Sequence, residues 1–262
     1  MNKLYIIKIG GNVLDDEKSL NAFLKDFASI QEPKILVHGG GKIATKIGDQ
    51  LGIKSNYVNG RRITDQPTRD LVTMVYGGLI NKKMVASLQG LECNAIGVTG
   101  ADGNLIKATR RPVKEIDYGY VGDITADGVN SSFLYFLLKQ NVTPVFAPLT
   151  YSGGEILNTN ADTIASAIAI SLSKHFDIRL IFCFEKKGVL QDVNNEESVI
   201  RLLNESSYKQ LLTGGSLADG ILPKLENAFS AIHAGVREVL IGGASDLLKN
   251  IKEETEGTLI KQ

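Results

Sequence analysis

The N-terminal segment places a lysine inside an apolar run, which reads Leu4-Tyr-Ile-Ile-Lys8-Ile and is followed by Gly10 and Gly11. An unpaired charge is costly to remove from water, so a lysine in a buried strand needs a carboxylate partner or an anionic ligand. The glycine pair lets the backbone approach an anion, and its N–H groups can form an anion-binding nest. The run therefore indicates either an ion-paired structural lysine or a lysine that contacts an anionic ligand.

A second glycine-rich turn follows the next apolar run and reads Val37-His-Gly-Gly-Gly41-Lys. Consecutive glycines before a helix direct several amides toward the helix N-terminus, where anions bind well. The pattern is neither the phosphate-binding GxxxxGK[ST] loop nor the dinucleotide-binding GxGxxG turn. Two such turns after two successive predicted strands favour an anion-binding site over two simple tight turns.

Metal and thiol chemistry have little support in the sequence. The three histidines, His38, His175 and His233, show no metal-ligand spacing, and a structural role is predicted for each. Cys93 and Cys183 lie in apolar stretches without a CxxC pair, which predicts two buried thiols in a reducing compartment. The sequence therefore identifies no metal-ligating residue.

Composition narrows the class of protein. The 262 residues include 29 basic and 29 acidic side chains, so the basic excess of a typical DNA-binding protein is absent. No apolar run reaches the roughly 18 to 20 residues of a membrane span, and the N-terminus lacks the layout of a signal peptide. We expect a cytoplasmic protein that binds neither nucleic acid nor membrane.

Short apolar runs alternate with segments of helical periodicity along nearly the whole chain, which predicts an α/β fold with a mainly parallel sheet. The predicted strands are Leu4–Ile9, Lys34–Val37, Ala95–Thr99, Thr143–Ala147, Leu180–Phe184 and Glu238–Ile241. The predicted helices are Ser19–Ser29, Lys42–Gln50, Arg69–Gln89, Ser131–Gln140, Thr163–Ser173 and Lys224–Ala234.

Local signals add a hairpin and two helix caps. Residues 101–130 are rich in turn-forming residues, with short alternating pieces at Leu105–Ala108 and Tyr120–Ile124, which predicts a β-hairpin insertion. Asp162 and Ser131 precede apolar helical runs and are predicted as helix N-caps. No linker or internal repeat interrupts the chain, so a single domain spanning residues 1–262 is expected.

Taken together, eight sequence blocks resemble the amino acid kinase family and, within it, the acetylglutamate kinases. The resemblance covers essentially the whole chain. One glycine pair alone would be weak evidence, whereas eight blocks in order at compatible spacing are specific. They are Lys8-Ile-Gly-Gly, Val37-His-Gly-Gly-Gly, Asn59-Gly-Arg-Arg-Ile-Thr, Thr99-Gly-Ala-Asp-Gly, Tyr120-Val-Gly-Asp, Leu157-Asn-Thr-Asn-Ala-Asp, Gly188-Val-Leu and Asp219-Gly-Ile-Leu-Pro-Lys.

The resemblance implies a three-layer αβα sandwich with a mainly parallel sheet of about eight strands. It implies an N-lobe, residues 1 to about 175, for the acyl-amino acid and dimer formation, and a C-lobe, residues from about 176 to 262, for ATP. The implied activity is ATP-dependent phosphorylation of the side-chain carboxylate of N-acetyl-L-glutamate, or another N-acyl-glutamate, in arginine and ornithine biosynthesis.

Site residues follow from the resemblance by position. Lys8 and Lys224 are implied as transition-state stabilisers, and Asp162 as the residue that orients them. Gly10 and Gly11 are implied to contact phosphate, and the acyl-glutamate is implied to bind at Gly40, Gly41, Arg62 and Asn158. The nucleotide is implied to bind at Glu185, Lys186, Lys187, Gly188, Val189, Leu190, Ser216, Leu217 and Ala218.

The phosphoryl transfer that the resemblance implies agrees with the candidate site residues, which include two lysines and no evident general base. A carboxylate acceptor has an unperturbed pKa of about 4.3 and is ionised at neutral pH, so it needs no general base. The barrier is electrostatic, because an anion must approach the γ-phosphoryl group, and two lysines with fixed backbone amides can lower it. Mg²⁺ is expected to be held mainly by the ATP phosphates, and a homodimer is expected.

Two positions depart from the family pattern. Arg61 stands where the family usually has an apolar residue, and it is either a surface arginine or a residue that binds a second carboxylate on the acyl group, as in N-succinylglutamate. Phe184-Glu185-Lys186-Lys187 replaces the family's usual Thr/Ser-Asp-Val before the Gly188 block, where Lys186 and Lys187 either meet phosphates or form a solvated turn.

Several other functions remain open at this point. Other kinases of the family would phosphorylate N-acylated aminoadipate, aspartate or glutamate, or else carbamate or a nucleotide. A regulatory ligand-binding protein of the same fold would need no Lys8, Asp162 or Lys224, yet all three are present. A dinucleotide-dependent oxidoreductase would be expected to carry the GxGxxG turn.

Overall fold

The computed structural model describes residues 1–192, 194–214 and 221–261. Fourteen strands lie in these ranges: β1 Lys3–Ile9, β2 Lys34–His38, β3 Tyr57–Val58, β4 Arg61–Arg62, β5 Ala95–Val98, β6 Ile106–Arg110, β7 Gly122–Val129, β8 Thr143–Phe146, β9 Leu149–Ser152, β10 Glu155–Asn158, β11 Asp177–Phe184, β12 Leu202–Leu203, β13 Glu238–Gly243 and β14 Thr258–Ile260.

The helices that the same ranges contain are α1 Asn12–Asp15, α2 Glu17–Ser29, α3 Gly41–Gln50, α4 Gln66–Val72, α5 Asn81–Gln89, α6 Ser131–Lys139, α7 Ala161–Leu172, α8 Glu205–Gly214, α9 Leu222–His233 and α10 Leu247–Asn250. A π-helical segment, Thr73–Ile80, joins α4 to α5. Two short 3₁₀ turns cover Asp102–Asn104 and Ala244–Asp246.

The main sheet has eight strands in the order β12-β14-β13-β11-β1-β2-β8-β5. Every pair in it is parallel except β13 with β14. All six predicted main-sheet strands are present, and the mainly parallel sheet of about eight strands is confirmed. The two strands without a sequence prediction, β12 and β14, are two and three residues long, too short for a periodicity signal.

Helices cover both faces of this sheet, as expected of a parallel sheet. On β1, Leu4 and Ile6 pack with α6, α7 and α9, whereas Ile7 and Ile9 pack with α2, α4 and α5 on the opposite face. Alternation along the strand therefore directs Lys8 toward the face that carries α7 and α9.

The predicted hairpin is present, with β6 and β7 antiparallel and an irregular register between Ile106 and Ala108. It belongs to a second sheet of four strands, in the order β10-β9-β6-β7, that includes residues some 20 to 50 positions later in the chain. A two-stranded sheet, β3 with β4, carries Arg61 and Arg62. Both smaller sheets contribute residues to the lining of the site described below.

Three local predictions need correction. The helix predicted from Arg69 to Gln89 is interrupted, because residues 73–80, which include the helix-weakening pair Gly77-Gly78, wind as a π-helix. The cap of α7 is Asn160, whose side chain accepts hydrogen bonds from the amides of residues 162 and 163, and the cap of α6 is Asn130. Asp162 and Ser131 therefore lie inside their helices, since an asparagine just upstream takes the capping role in each case.

Candidate active site

Lys8 is the last residue but one of β1, a central strand of the main sheet. Its side chain is 12% exposed, and the following turn is glycine-rich. A Cβ atom added to Gly10 would lie 2.9 Å from Lys8 Nζ, so the absence of a side chain at position 10 makes room for the ammonium group. Gly11 has a φ of +54°, a conformation that favours glycine.

Asp162 joins Lys8 to Lys224. Its Oδ1 lies 2.8 Å from Lys8 Nζ, and its Oδ2 lies 2.9 Å from Lys224 Nζ. The carboxylate stands in the first turn of α7, whose N-terminal dipole also favours a negative charge, and Lys224 stands in the first turn of α9. Residues separated by more than 60 positions are thus combined into one cluster, in which two ammonium groups share a carboxylate.

The electrostatics of this cluster keep the carboxylate ionised. Burial alone would raise the pKa of Asp162, but the charges and hydrogen bonds of Lys8 and Lys224 outweigh burial and leave the pKa below its ordinary value. An ionised carboxylate held between two cations is a poor proton acceptor and a good fixed anchor. Asp162 is therefore suited to positioning the two ammonium groups.

Cys183 lies beside this cluster without taking part in it as a nucleophile. Burial raises the pKa of its thiol to about 12, and the nearby charge of Lys8 opposes that shift only in part. The thiol is consequently protonated at neutral pH, and reactive cysteines need the thiolate. The prediction that both cysteines are buried and unpaired is confirmed.

A cavity of about 470 Å³ lies on one side of Lys8, and we call it the acceptor cavity. Arginine, tyrosine, amide and hydroxyl side chains line it together with backbone from both glycine turns. Its lining includes Lys8, Gly10, Gly11, Gly39, Gly40, Gly41, Tyr57, Arg61, Arg62, Tyr76, Arg111, Asp123, Asn158, Thr159 and Asn160.

A second cavity of about 530 Å³ lies on the other side, and we call it the donor cavity. It shares Lys8, Gly10 and Gly11 with the acceptor cavity and adds Lys224 from the C-terminal part of the chain. Its remaining lining comes mostly from α2 and from the carboxyl ends of β11 and β13: Ser19, Ala22, Phe23, Asp26, Cys183, Glu185, Gly243, Ala244 and Ser245. Two cavities that meet at a lysine and two glycine amides can bring two ligands together at one point.

The residues implied for the acyl-glutamate gather in the acceptor cavity. Arg62 is buried, donates to the Gly41 carbonyl at 2.8 Å and the Thr45 hydroxyl at 2.9 Å, and also bonds the Ser55 hydroxyl. Asn158 donates to the Thr64 hydroxyl at 3.0 Å. These bonds hold both side chains in place at the wall of the cavity.

Gly40 is required by space as well as by conformation. Its φ is +149°, and an added Cβ would lie 2.4 Å from Ile80 Cδ1 and 3.0 Å from Tyr76 Cδ1. The glycine turn after β2 can therefore lie against the π-helical segment only without a side chain at this position. Gly41, by contrast, has open space where a side chain would stand.

The residues implied for the nucleotide divide into three groups. Glu185 lines the donor cavity, with Oε1 3.5 Å from the Cβ position of Gly11. Lys186 and Lys187 form exposed ion pairs with Glu196 and Glu197, while Val189 and Leu190 are buried in the core behind Gly188. Ser216, Leu217 and Ala218 lie outside the described residues, as does Asp219 of the Lys224 block.

One ion pair that lines the acceptor cavity had no role in the sequence prediction, although Asp123 stands in the Tyr120-Val-Gly-Asp block. Arg111 and Asp123 come from the two sides of the β6–β7 hairpin and form an ion pair. The sequence signals were the Arg110-Arg111 pair at the edge of the predicted hairpin and Asp123 in the Tyr120 block, and neither indicates that Arg111 and Asp123 pair with each other. The hairpin itself had been expected, but not which of its side chains would enter the cavity.

His38 has the structural role predicted for it. The ring is buried, Nδ1 lies 2.7 Å from the Gly39 carbonyl, and Nε2 lies 3.2 Å from Asn81 Nδ2. Burial lowers the pKa of His38 to about 4, so the ring is neutral at physiological pH. Within residues 1–192, 194–214 and 221–261, no group of three or more His, Cys, Asp or Glu residues could hold a metal ion, and no helix is long and apolar enough to span a membrane.

Comparisons with known proteins agree with this geometry. The chain is 54% identical over 261 residues to a Cytophaga hutchinsonii protein named acetylglutamate kinase, with 98% of each chain covered. The fold is similar to that of Neisseria gonorrhoeae N-acetylglutamate synthase solved with coenzyme A and N-acetyl-glutamate, with a TM-score of 0.83 at 20% identity over 100% of this chain and 59% of that one.

A second solved structure shows the same architecture. Carbamate kinase from Giardia lamblia bound to AMP-PNP gives a TM-score of 0.73 at 15% identity, covering 100% of this chain and 98% of that one. The sequence model described as the amino acid kinase family matches residues 3–243, nearly the full length. On this evidence the chain is a member of the amino acid kinase family.

Proposed function

We propose that this protein transfers the γ-phosphoryl group of ATP to the side-chain carboxylate of an N-acyl-L-glutamate, a step of arginine biosynthesis. N-acetyl-L-glutamate is the acceptor suggested by the names of relatives that are 52–55% identical over almost the whole chain. The observation that carries the proposal is the junction of two cavities at Lys8, Gly10 and Gly11, beside the Lys8–Asp162–Lys224 cluster.

The reaction requires little covalent chemistry from the protein. An oxygen of the acceptor carboxylate forms a bond to the γ-phosphorus, the bond from that phosphorus to the bridging oxygen breaks, and ADP leaves with that oxygen. The acceptor is already ionised, so no side chain needs to remove a proton. Positioning and charge stabilisation are the main contributions in phosphoryl transfer.

The lysine cluster is suited to that task. Lys8 belongs to both cavities and Lys224 to the donor cavity, so their ammonium groups can approach the transferring group from two elements. The amides of Gly10 and Gly11 add fixed donors that need no reorganisation during the reaction. Asp162 holds both ammonium groups in place through contacts of 2.8 and 2.9 Å and is proposed as a positioning residue.

The acceptor is proposed to bind through its α-carboxylate to Arg62 and through its acyl-amino group to Asn158. A planar guanidinium suits a carboxylate because it can donate two parallel hydrogen bonds. In the structure the Arg62 guanidinium contacts hydroxyl groups of Thr45 and Ser55, which a ligand carboxylate would join or replace. Gly40 and Gly41 place backbone at the same wall.

ATP is proposed to occupy the donor cavity, and Mg²⁺ to be held mainly by its phosphates. The described lining of that cavity offers the carboxylates of Asp26 and Glu185, and no three-ligand cluster is found among the described residues. That donor set fits Mg²⁺, which usually keeps several waters and takes one or two carboxylates in addition to phosphates. The ion supplies charge neutralisation of the phosphates, and roles in nucleotide binding for Lys186 to Leu190 and Ser216 to Ala218 remain predictions.

The sequence positions of the residues that line the two cavities support the proposed N-lobe and C-lobe. Every residue that lines the acceptor cavity precedes residue 164, whereas the donor cavity combines residues up to Asp26 with six residues between Cys183 and Ser245. We therefore assign acceptor binding to the N-lobe, residues 1 to about 175, and ATP binding mainly to the C-lobe, residues from about 176 to 262. A cytoplasmic location is part of the same proposal.

A homodimer is also proposed. Strand β5 lies at the edge of the main sheet, and its Ile96 is 40% exposed, while Met74 and Leu79 of the neighbouring helical segment are 56% and 38% exposed. Exposed apolar side chains near an unpaired strand edge are typical of an interaction surface. Light scattering coupled to size-exclusion chromatography should give twice the chain mass of 28.3 kDa, whereas a mass of one chain would contradict the proposal.

The decisive experiment for the activity is trapping of the acyl phosphate. With ATP, Mg²⁺ and N-acetyl-L-glutamate, hydroxylamine should convert the product to a hydroxamate in a 1:1 ratio with released ADP. Parallel reactions with glutamate, aspartate and carbamate test the other kinases of the family. Release of ADP without hydroxamate would show hydrolysis of ATP and would refute transfer to a carboxylate.

A further inference from the structure

The acceptor cavity has a second end, away from the phosphoryl-transfer point. There it adjoins a cavity of about 450 Å³, which we call the outer cavity, and shares Arg61, Arg111 and Asp123 with it. The outer cavity is lined further by Asn59, Pro112, Lys114, Glu115, Ile116 and Tyr118. Donor, acceptor and outer cavities thus form a series in which each cavity shares lining residues with the next.

The three side chains that the two cavities share, those of Arg61, Arg111 and Asp123, carry a net positive charge, while Lys114 and Glu115 of the outer cavity offset each other in charge. The Arg111 guanidinium pairs with Asp123, with Nε 3.1 Å from each carboxylate oxygen, so those two charges neutralise each other. Nη1 of Arg111 is buried and has no hydrogen-bond partner among the described residues. One buried guanidinium donor is therefore left unsatisfied beside the junction, which is unusual because such groups nearly always find a partner.

Arg61 provides a full positive charge at the same place. It lines both cavities, and its side chain makes no hydrogen bond or ion pair with any residue in the described part of the chain. Its neighbour Arg62 is buried and committed to the proposed α-carboxylate, so the two adjacent guanidinium groups have different tasks. An N-acetyl group is neutral and would offer Arg61 no charged partner from the acceptor, whereas an acyl group that ends in a carboxylate would.

We propose that the acyl group of the natural acceptor ends in a carboxylate, which Arg61 binds together with the free edge of Arg111. This inference rests on the proposed function, because it concerns the acyl group of the same acceptor. The chemical class is an N-(ω-carboxyacyl)-L-glutamate, with N-succinyl-L-glutamate as the probe. A second carboxylate neutralises Arg61 and offers acceptor oxygens to Arg111 in a charge-assisted hydrogen bond.

A matched set of acceptors separates charge from size. N-butyryl-L-glutamate has the same acyl chain length as the succinyl compound but lacks the terminal carboxylate, and N-acetyl-L-glutamate lacks the extension altogether. Hydroxamate trapping should give kcat/KM for N-succinyl-L-glutamate about 10- to 100-fold above the butyryl compound, as expected for a charged hydrogen-bonded pair. The kcat/KM for N-succinyl-L-glutamate should also exceed that for N-acetyl-L-glutamate.

The Arg61→Met variant tests the residue. It should lower the succinyl-to-butyryl ratio of kcat/KM at least tenfold, mainly through a higher KM for the succinyl compound, and Arg61→Gln repeats the test with a polar side chain. Lys107→Met is the matched control, because it removes one exposed positive charge from the β6–β7 hairpin, which carries Arg111 and Asp123, without lining any of the three cavities. The succinyl-to-butyryl ratio of kcat/KM in Lys107→Met should equal that of the unchanged protein.

The outcomes distinguish this inference from the function on which it rests. Phosphorylation of the acetyl compound with equal or lower kcat/KM for the succinyl compound would overturn the inference and leave the kinase function standing. An unchanged ratio in both Arg61 variants, or equal loss in Lys107→Met, would overturn the assignment of the carboxylate to Arg61. If no N-acyl-glutamate yields a hydroxamate, the proposed function and this inference both fail.

Discussion

Lys8→Ala and Lys224→Ala are each expected to lower kcat by about 10²- to 10³-fold, the usual effect of removing one fixed charge or donor from a transition state. Affinity for ATP should change only a few-fold, because the phosphates keep the other lysine, the glycine amides and Mg²⁺. Single-turnover hydroxamate formation gives the rate, and calorimetric titration with a non-hydrolysable ATP analogue gives the affinity.

The expectation follows from where the two ammonium groups stand. Both contact the same carboxylate at under 3 Å, one at the end of the central strand and the other in the first turn of α9. If they stabilise one transferring group, the effects of the two substitutions should not add. The double variant should then lose clearly less than the product of the single losses, as is usual for residues that act as a unit.

A buried lysine elsewhere in the sheet provides the control. Lys34 begins β2, is 6% exposed and donates to the carbonyls of Ala28 and Ile30, at the opposite end of the strands from Lys8. Lys34→Met should change the thermal midpoint but leave kcat of the folded enzyme within about twofold. Retention of most of kcat in Lys8→Ala or Lys224→Ala would refute the proposed roles.

Much of the fold was predictable because the main-sheet strands are buried on both faces and read as continuous apolar runs. Lys8 shows where such reasoning stops. Within β1 the lysine demands a partner, but an ion-paired structural role and a catalytic role predict the same residue type. The structure supplies the missing information, since Asp162 and Lys224 arrive from helices that the sequence places 154 and 216 residues away.

The parts of the site that escaped prediction depend on packing and not on local pattern. Arg111 is an arginine at a hairpin edge, and only the register of β6 with β7 pairs it with Asp123 at the cavity wall. The prediction of the two helix caps was wrong for a related reason. Asn130 and Asn160 compete with the predicted caps one and two residues downstream, and local sequence ranks these capping residues almost equally.

Asp162→Asn is expected to lower kcat by about 10²-fold without changing the size of the side chain, because a misplacement of about 1 Å at a reacting centre has an effect of that order. With the charge removed, the two ammonium groups repel each other and lose the anchor that fixes their separation. KM for the acceptor should change less than kcat, because Asp162 does not line the acceptor cavity.

The same substitution should destabilise the folded protein. Two lysine side chains that are only 12% and 15% exposed would lose their shared counter-charge. Removal of one partner from a fully buried pair costs about 3–5 kcal/mol, and the adjoining cavities admit water, so we expect about 2–3 kcal/mol. Chemical denaturation at pH 7 with the unchanged protein as reference measures this difference.

The pH dependence of the stability difference shows whether the lost charge of Asp162 causes the destabilisation. The folded-state pKa of Asp162 lies below its ordinary value of 3.8, so its charge stabilises the folded state fully above that pH and this contribution is lost as the pH falls through the folded pKa. The gap in stability between the unchanged protein and Asp162→Asn should therefore be constant from pH 5 to 8 and narrow below about pH 4. A gap that persists unchanged in acid would point to lost packing.

Glu238→Gln separates loss of position from loss of stability. Glu238 pairs with the buried Arg179 at 2.7 Å, with side chains that are 17% and 10% exposed, at the amino end of β13 and far from the cavity junction. The Glu238→Gln substitution should lower stability to a similar degree while kcat stays within about twofold.

Because Asn160 caps α7, Asp162→Asn leaves the helix start intact. A large loss of kcat in Asp162→Asn alone would then be attributable to the position of the two ammonium groups, and an equal loss in both variants would refute that role.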